Sequence, residues 1–258
     1  MATWNATEYA KNSSEQQKWA RELIAKLNLR GEERVLDLGC GDGKVTAEIA
    51  DQLPRGEVVG VDLSQEMIDF AKHTFDRPNV SFAQADARAL EFDNEFDVIF
   101  SNAVLHWIYD HQPVLRGIRR SLKTGGRILL QMGGRGNAAG VLATVNEVTR
   151  DPRWAPFFTN FHFRYGFHGP EDYTRWLTDA GFHPQRVELI PKDMTHTTAD
   201  RFAGWLRSTW MPWTDRVPQA QREEFIAAIV DRYLHAHPPD DVGRVHVAMV
   251  RLEVEATT

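Results

Sequence analysis

The stretch Val35-Leu36-Asp37-Leu38-Gly39-Cys40-Gly41-Asp42-Gly43 decides the reading of this chain. An apolar run ends in three glycines at alternate positions, and text with helical spacing opens just beyond, at Val45. Glycines suit such a loop because a ligand must reach the backbone and some positions take positive φ. A phosphate loop is excluded, since no GxxxxGK[ST] is present. A dinucleotide fingerprint wants glycines at 39, 41 and 44, and position 44 is Lys. Asp37, two residues ahead of the first glycine, would repel a pyrophosphate. Its carboxylate suits a ligand carrying positive groups, and the helix opening near Gly43 leaves unpaired N–H groups close by.

Two more anchors follow. Glu57-Val58-Val59-Gly60-Val61-Asp62 ends in a carboxylate 23 residues after Gly39. That spacing sets Asp62 beside the loop, where it can accept ribose hydroxyls. Ser64 is the expected cap of the next helix. Gln84-Ala85-Asp86-Ala87 closes the third run, and Asp86 is placed to accept the exocyclic amine of adenine, with the backbone of Ala87 beside it. An adenosine with a cationic tail, as in S-adenosylmethionine, answers all three anchors. Cys40 is read as a packing residue at the edge of that ligand, not as a nucleophile.

Outward from the loop, residues 34–131 repeat one unit: apolar run, turn, helical pattern. The runs Arg34–Leu38, Glu57–Val61, Asn79–Phe82, Phe96–Phe100 and Arg127–Gln131 are predicted strands. Val45–Leu53, Met67–Phe75 and Val114–Leu122 are predicted helices between them. This alternation implies an α/β fold with a mainly parallel sheet, helices on both faces, and binding outside the carboxyl ends of the strands. Glu15–Leu27 reads as a preceding helix. Gly133–Pro170 breaks the rhythm and is expected to be an irregular crossing or lid. Then come a helix at Asp172–Ala180, a strand at Gln185–Ile190, helices at Ala199–Thr209 and Gln219–His235, and a closing strand at Val245–Val254. The expectation is one domain over residues 1–258. Its core sheet is 34–131, and a helical cap is drawn from 1–30, 133–170 and 195–240.

Composition narrows the classes. The 258 residues are 42% apolar and 26% charged, which is globular composition. One cysteine excludes an intrachain disulfide framework and a Cys-rich zinc site. A formal net charge of −6 speaks against a broad nucleic-acid surface. No segment approaches 18 apolar residues, and the first twenty contain no apolar core segment. A cytoplasmic protein with no membrane and no nucleic-acid partner is therefore expected. His162 with His168, and His235 with His237, lack companions at metal spacing, so no catalytic metal is expected. The oligomeric state is left open, a monomer being compatible.

The series DLGCGDG, GVDLS, QADA, SNAVLHW and LKTGGRILL, in that order, resembles the class I S-adenosylmethionine-dependent methyltransferases across residues 34–131. The resemblance implies a Rossmann-like, seven-stranded, mostly parallel sheet whose last strand, Val245–Val254, is antiparallel. It also implies that Asp37, Gly39, Cys40, Gly41 and Gly43 surround the methionine end. Asp62 with Leu63 would meet the ribose, Asp86 with Ala87 the adenine, and Asn102 with Ala103 would line the end of strand four. S-adenosylhomocysteine would be the product.

The acceptor is harder to read. In-line methyl transfer mostly needs two reactants held close, aligned and dry. A phenol or amine often needs a base, whereas a carboxylate is already ionised and needs donors to orient it. His106 is thus open to three readings: general base, orienting donor, or core residue. Tyr9, Tyr165, Trp205, Arg207, Trp210 and Trp213 are candidate substrate contacts among polar donors and aromatics, weighed against ordinary core packing. The pattern Tyr9, Ser13, Gln16, glycine loop, Leu105-His106-Trp107 is similar to small-molecule carboxylate O-methyltransferases, both the bacterial trans-aconitate 2-methyltransferases and the insect juvenile hormone acid methyltransferases. This second resemblance implies that Gln16 and Trp107 hold the carboxylate of a small organic acid; the bacterial enzymes have Gln where this chain has His106. A hydroxyl, phenol or amine acceptor is the alternative, and a non-catalytic nucleotide-binding scaffold the third possibility.

Overall fold

Strands β1 (Arg34–Leu38), β2 (Glu57–Asp62), β3 (Val80–Gln84), β4 (Phe96–Asn102), β5 (Leu122–Gly133), β6 (His183–His196) and β7 (Val245–Thr257) form one sheet in the order β3-β2-β1-β4-β5-β7-β6. The computed structural model describes residues 14–258, the first five of them as backbone only. Pairing is parallel from β3 through β5. β7 then runs antiparallel to β5, from Arg127 opposite Thr257 to Gly133 opposite Arg251. This is the Rossmann-like, seven-stranded α/β sheet with a reversed last strand that the motif series implied.

The central strands explain why their text is so apolar. Each is covered on both faces, so alternate residues enter different cores. Leu36 and Leu38 pack with Val61, Ile99 and Leu130 on one side; Val35 packs with Val58, Phe100 and Leu129 on the other. The second face is covered by Leu23 of α1 (Ser14–Lys26), by Leu27 just after it, and by Ile49 of α2 (Lys44–Ala50). After α3 (Gln65–Thr74), the first face receives Leu115 and Ile118 from α4 (Gln112–Ser121). Ser64 caps α3 by accepting from the Met67 amide at 3.4 Å, as its position suggested.

One expectation is corrected. The segment 133–170, expected to be irregular, contains α5 (Ala139–Val148). The breakers Gly136 and Asn137 disguise its start, and Ala138 enters it at φ 49° with no side-chain cap. Val141, Val145 and Val148 nevertheless have helical spacing and are buried. β6 and β7 also outrun their predicted bounds, because strand pairing extends beyond the local apolar pattern.

The chain forms two compact units. Gln16–Arg135, Tyr165–Ile190 and Arg251–Thr258 make the first, which includes α6 (Pro170–Asp179). The second includes Gly136–Arg164 and Pro191–Val250, with α5, α7 (Ala199–Thr209), α8 (Met211–Thr214) and α9 (Arg222–Ala236). An aromatic core holds this second unit: Trp210 lies 5.7 Å from Trp205 and 5.3 Å from Trp213, while Phe202 meets Tyr233 at 4.9 Å between ring centroids. Among the described residues, no helix is long and apolar enough to cross a membrane.

Candidate active site

Chain direction in the parallel strands brings the ends of β1, β2, β3 and β4 to one edge of the sheet. The glycine loop is tied there by backbone bonds from the amides of Gly39 and Cys40 to the Val61 carbonyl, at 2.7 and 3.0 Å. Gly39 has φ 80°, and a Cβ on it would stand 2.4 Å from the Val104 side chain. Gly41 has φ 53° and a different surrounding: a Cβ there would meet nothing within 4 Å. The loop thus presses on Val104, just past the end of β4, at Gly39 and opens at Gly41. Gly43 precedes α2, and a Cβ on it would stand 2.8 Å from Ala71 and 2.9 Å from Phe82; Cys40 packs beside Ile68, Ala71 and Phe82. Burial pushes the Cys40 thiol well up, which agrees with a packing role.

Asp37 is buried and accepts from the Thr46 hydroxyl at 2.6 Å. Burial lifts its carboxyl to about 7; the Thr46 hydrogen bond opposes this and the Asp62 charge adds to it. Asp62 accepts from the amides of Gly41 at 3.0 Å and Ser64 at 2.9 Å. Its pKa is raised by burial against those backbone bonds. Two carboxyls raised in this way lower their energy when a cation arrives. Beside them, Leu63 is 48% exposed, an apolar surface next to Asp62.

Asp86 differs from its expected role in one respect. It caps the turn Ala87–Ala89 and takes the Arg88 guanidinium in bidentate fashion, Nε at 2.9 and 3.0 Å and Nη2 at 2.6 Å. The Arg88 hydrogen bond keeps its carboxyl below the usual range. An adenine amine would therefore share an acceptor already committed to Arg88. The Asn102 side-chain oxygen, at the end of β4, is buried with no hydrogen-bond partner. Ala103 follows at φ 59°, its amide donating to the Gln131 carbonyl at 2.8 Å. Left-handed backbone at a non-glycine residue costs about 1–2 kcal/mol, and such strain collects at functional positions. The open loop at Gly41, the two carboxyls and the orphaned Asn102 oxygen together fit an adenosine bearing a cationic amino-acid tail.

Just past β4, Leu105–Trp107 forms a 3-10 turn that carries His106 and Trp107. Tyr165 joins them: its ring is 5.2 Å from Trp107 and 6.1 Å from His106. Phe167, absent from the sequence reading, stacks on Tyr165 at 4.7 Å and lies 5.9 Å from His106. Alternation across a short extended segment was the signal for it. The Gly133 amide donates to His106 Nδ1 at 3.3 Å. An amide cannot accept, so the neutral ring carries its proton on Nε2 and is a donor there. Burial, with the Arg251 charge next, holds its pKa well below the ordinary value.

The remaining candidates are placed as follows. Tyr9 lies outside the described residues, and Gln16 is described only as backbone within α1. Trp205, Trp210 and Trp213, the candidate substrate contacts weighed against core packing, are buried in the aromatic core of the second unit. Arg207 pairs with Glu223 through Nε at 2.8 Å and Nη2 at 2.6 Å. Among the described residues, no group of three or more His, Cys, Asp or Glu side chains is arranged to hold a metal ion.

Residues 35–126 match the model of a methyltransferase-domain family. The chain is 40% identical to a trans-aconitate 2-methyltransferase of Azoarcus sp. (strain BH72), covering 95% of this chain and 94% of that one. It is 30% identical to a trans-aconitate 2-methyltransferase of Methylobacterium nodulans, covering 98% and 97%. Among solved structures, an S-adenosylmethionine-dependent methyltransferase of Mesorhizobium loti shares the fold with a TM-score of 0.55 at 19% identity, covering 92% of this chain and 96% of that one. With the glycine loop, the paired carboxyls and the seven-stranded sheet already in place, these likenesses settle the family: the chain is a class I S-adenosylmethionine-dependent methyltransferase, related to the trans-aconitate 2-methyltransferases.

Proposed function

We propose that the enzyme methylates a carboxylate of a small organic acid, giving a methyl ester and S-adenosylhomocysteine, with trans-aconitate as the candidate acid. S-adenosylmethionine, when bound, supplies a methyl group activated by a sulfonium. Asp37 and Asp62 would hold its cationic tail and ribose, Asn102 and the Gly41 backbone its nearby polar groups, and Leu63 its base. The acceptor oxygen brings the electron pair for the new C–O bond, the sulfur keeps that of the broken C–S bond, and no proton moves.

The observation that carries this reading is the hydrogen bond into His106 Nδ1. With that nitrogen occupied and its pKa depressed, His106 is a poor base and a fixed donor. A phenol or amine acceptor needs a proton taken away; a carboxylate needs only a donor and a dry wall. The rings of Trp107, Tyr165 and Phe167 supply that wall beside His106. Gln16 and Tyr9 join this reading on the strength of the resemblance to carboxylate O-methyltransferases.

Methyl-labelled cofactor offered with separate pools of carboxylic acids, phenols and amines tests the proposal. Label recovered from the acid pool as a volatile, base-labile product supports it. Label held stably in the phenol or amine pool overturns it, and cofactor binding with no transfer to any pool favours a binding protein.

A further inference from the structure

Arg251 belongs to no anchor described so far, and its position is unusual. It lies within β7, opposite Gly133, the last residue of β5. β4 ends at Asn102, opposite Gln131, so the Gly133–Arg251 pair lies two residues beyond, on the carboxyl edge of the sheet. The Gly133 amide is the donor to His106, which sets the backbone of this pair beside the acceptor wall. Arg251 is only 4% exposed. Its guanidinium carbon lies 5.7 Å from the centroid of the Trp19 ring, and its Nε donates to Gln131 Oε1 at 3.4 Å. Gln131 is itself fixed, donating through Nε2 to Glu253 at 2.8 Å. Glu253 is gripped by Lys26 at 2.5 Å and by Arg186. On α1, position 16 precedes Trp19 by about one helical turn.

We propose that Arg251 binds a carboxylate of the acceptor that is not methylated, and so selects acids with two or more carboxylates. The inference rests on the carboxylate reading above and assigns it a residue. A planar guanidinium offers paired donors that match a carboxylate, and in dry surroundings its charge acts far more strongly than at a surface. The reacting carboxylate loses its charge as it becomes an ester. An ion pair to that group would be stronger before transfer than during it, and would slow the reaction. A carboxylate that stays ionised carries no such penalty, so an arginine serves best there, leaving the neutral His106 donor for the reacting group. The charge of Arg251 is already felt at His106, where it opposes protonation of the ring.

The test compares a dicarboxylic or tricarboxylic acid with its analogue in which one carboxylate is a neutral amide, in the wild type and in Arg251→Gln. For the wild type, the amide should lower kcat/KM about 10–100-fold; in the variant the gap should shrink to about threefold or less, with the loss appearing mainly in KM. Binding of S-adenosylhomocysteine, by calorimetry, should be unchanged in the variant. Arg251→Lys, which keeps the charge, should restore part of the discrimination and stands in if the Gln variant fails to fold. A wild type indifferent to the amide, or a discrimination that survives in Arg251→Gln, overturns the assignment. If the wild type esterifies no acid at all while methylating a phenol or amine, the carboxylate reading itself has failed, and this inference with it.

Discussion

The Gly133 amide donates to Nδ1 of His106, so one backbone bond decides which ring nitrogen carries the proton. The buried ring cannot easily gain a second proton, and its acceptor nitrogen is taken. His106→Gln keeps a donor and should retain kcat within about tenfold, whereas an essential general base would lose about 10²–10⁴-fold. His106→Leu should raise KM for the acid. Steady-state kinetics on the two variants separates these outcomes. The wild-type kcat should also show no ionisation of this ring at the ordinary histidine value, around pH 6.5.

Asp37 couples cofactor binding to pH. Burial raises its carboxyl to about 7 in the free protein, the Thr46 hydroxyl opposing and Asp62 adding. A cationic ligand requires the ionised form. Below about pH 7 the free protein therefore holds a proton that must leave on binding, so affinity falls as pH falls through that value; well above it, binding releases none. Calorimetry of S-adenosylhomocysteine binding in buffers of different ionisation enthalpy measures the proton count directly. Thr46→Val removes the stabilising hydroxyl, and the midpoint of this dependence should move upward. Asp37→Asn should abolish the proton release and weaken binding.

Two glycines in one loop should respond differently to alanine. At Gly39 the added Cβ meets Val104 and φ is 80°, so stability should fall by about 2–5 kcal/mol from strain and overpacking together. At Gly41 the space is open, and the cost to stability should be only about 1–2 kcal/mol, for the left-handed backbone. Its cofactor affinity should nevertheless drop, because the methyl group occupies the approach of the ligand. Urea unfolding and calorimetry on both variants check the contrast.

Glu253 is the anchor beneath the proposed acid site. It is almost fully buried yet stays ionised: burial pushes its carboxyl up, and hydrogen bonds from Lys26, Arg186 and Gln131 outweigh that to lower it. Lys26 is 43% exposed, so solvent weakens its share of the interaction. Glu253→Gln should cost about 1–3 kcal/mol in urea unfolding at neutral pH. A lowered carboxyl contributes stability above its unfolded pKa of about 4.3, lost as pH falls through the folded value. The gap between wild type and variant should therefore close in acid.

Much of the first unit was legible because its information is local. β1 falls on Arg34–Leu38 as its apolar run indicates, and Gly39, Asp62 and Ser64 sit where motif spacing puts them. What escaped depends on distant pairing or on side-chain competition. Arg251 reaches the sheet edge only through the antiparallel register with β5, which no local pattern encodes. Asp86 was read by its place after β3, but Arg88 two residues on competes for the same oxygens. Trp205, Trp210 and Trp213 stand out as large residues near polar ones, and only the structure shows that their rings pack against one another. The helix α5 was hidden by its own unusual entry, a left-handed Ala138 in place of a polar cap.

The most direct test of the acceptor follows the methyl group itself. With cofactor labelled with carbon-13 at the methyl and an unlabelled polycarboxylic acid, a long-range carbon–proton correlation spectrum identifies the atom to which that methyl is joined. The account predicts a cross-peak linking the transferred methyl to a carboxyl carbon through one oxygen. A cross-peak to an aromatic or nitrogen-bearing carbon, obtained when phenols or amines are supplied and not when acids are, would contradict it.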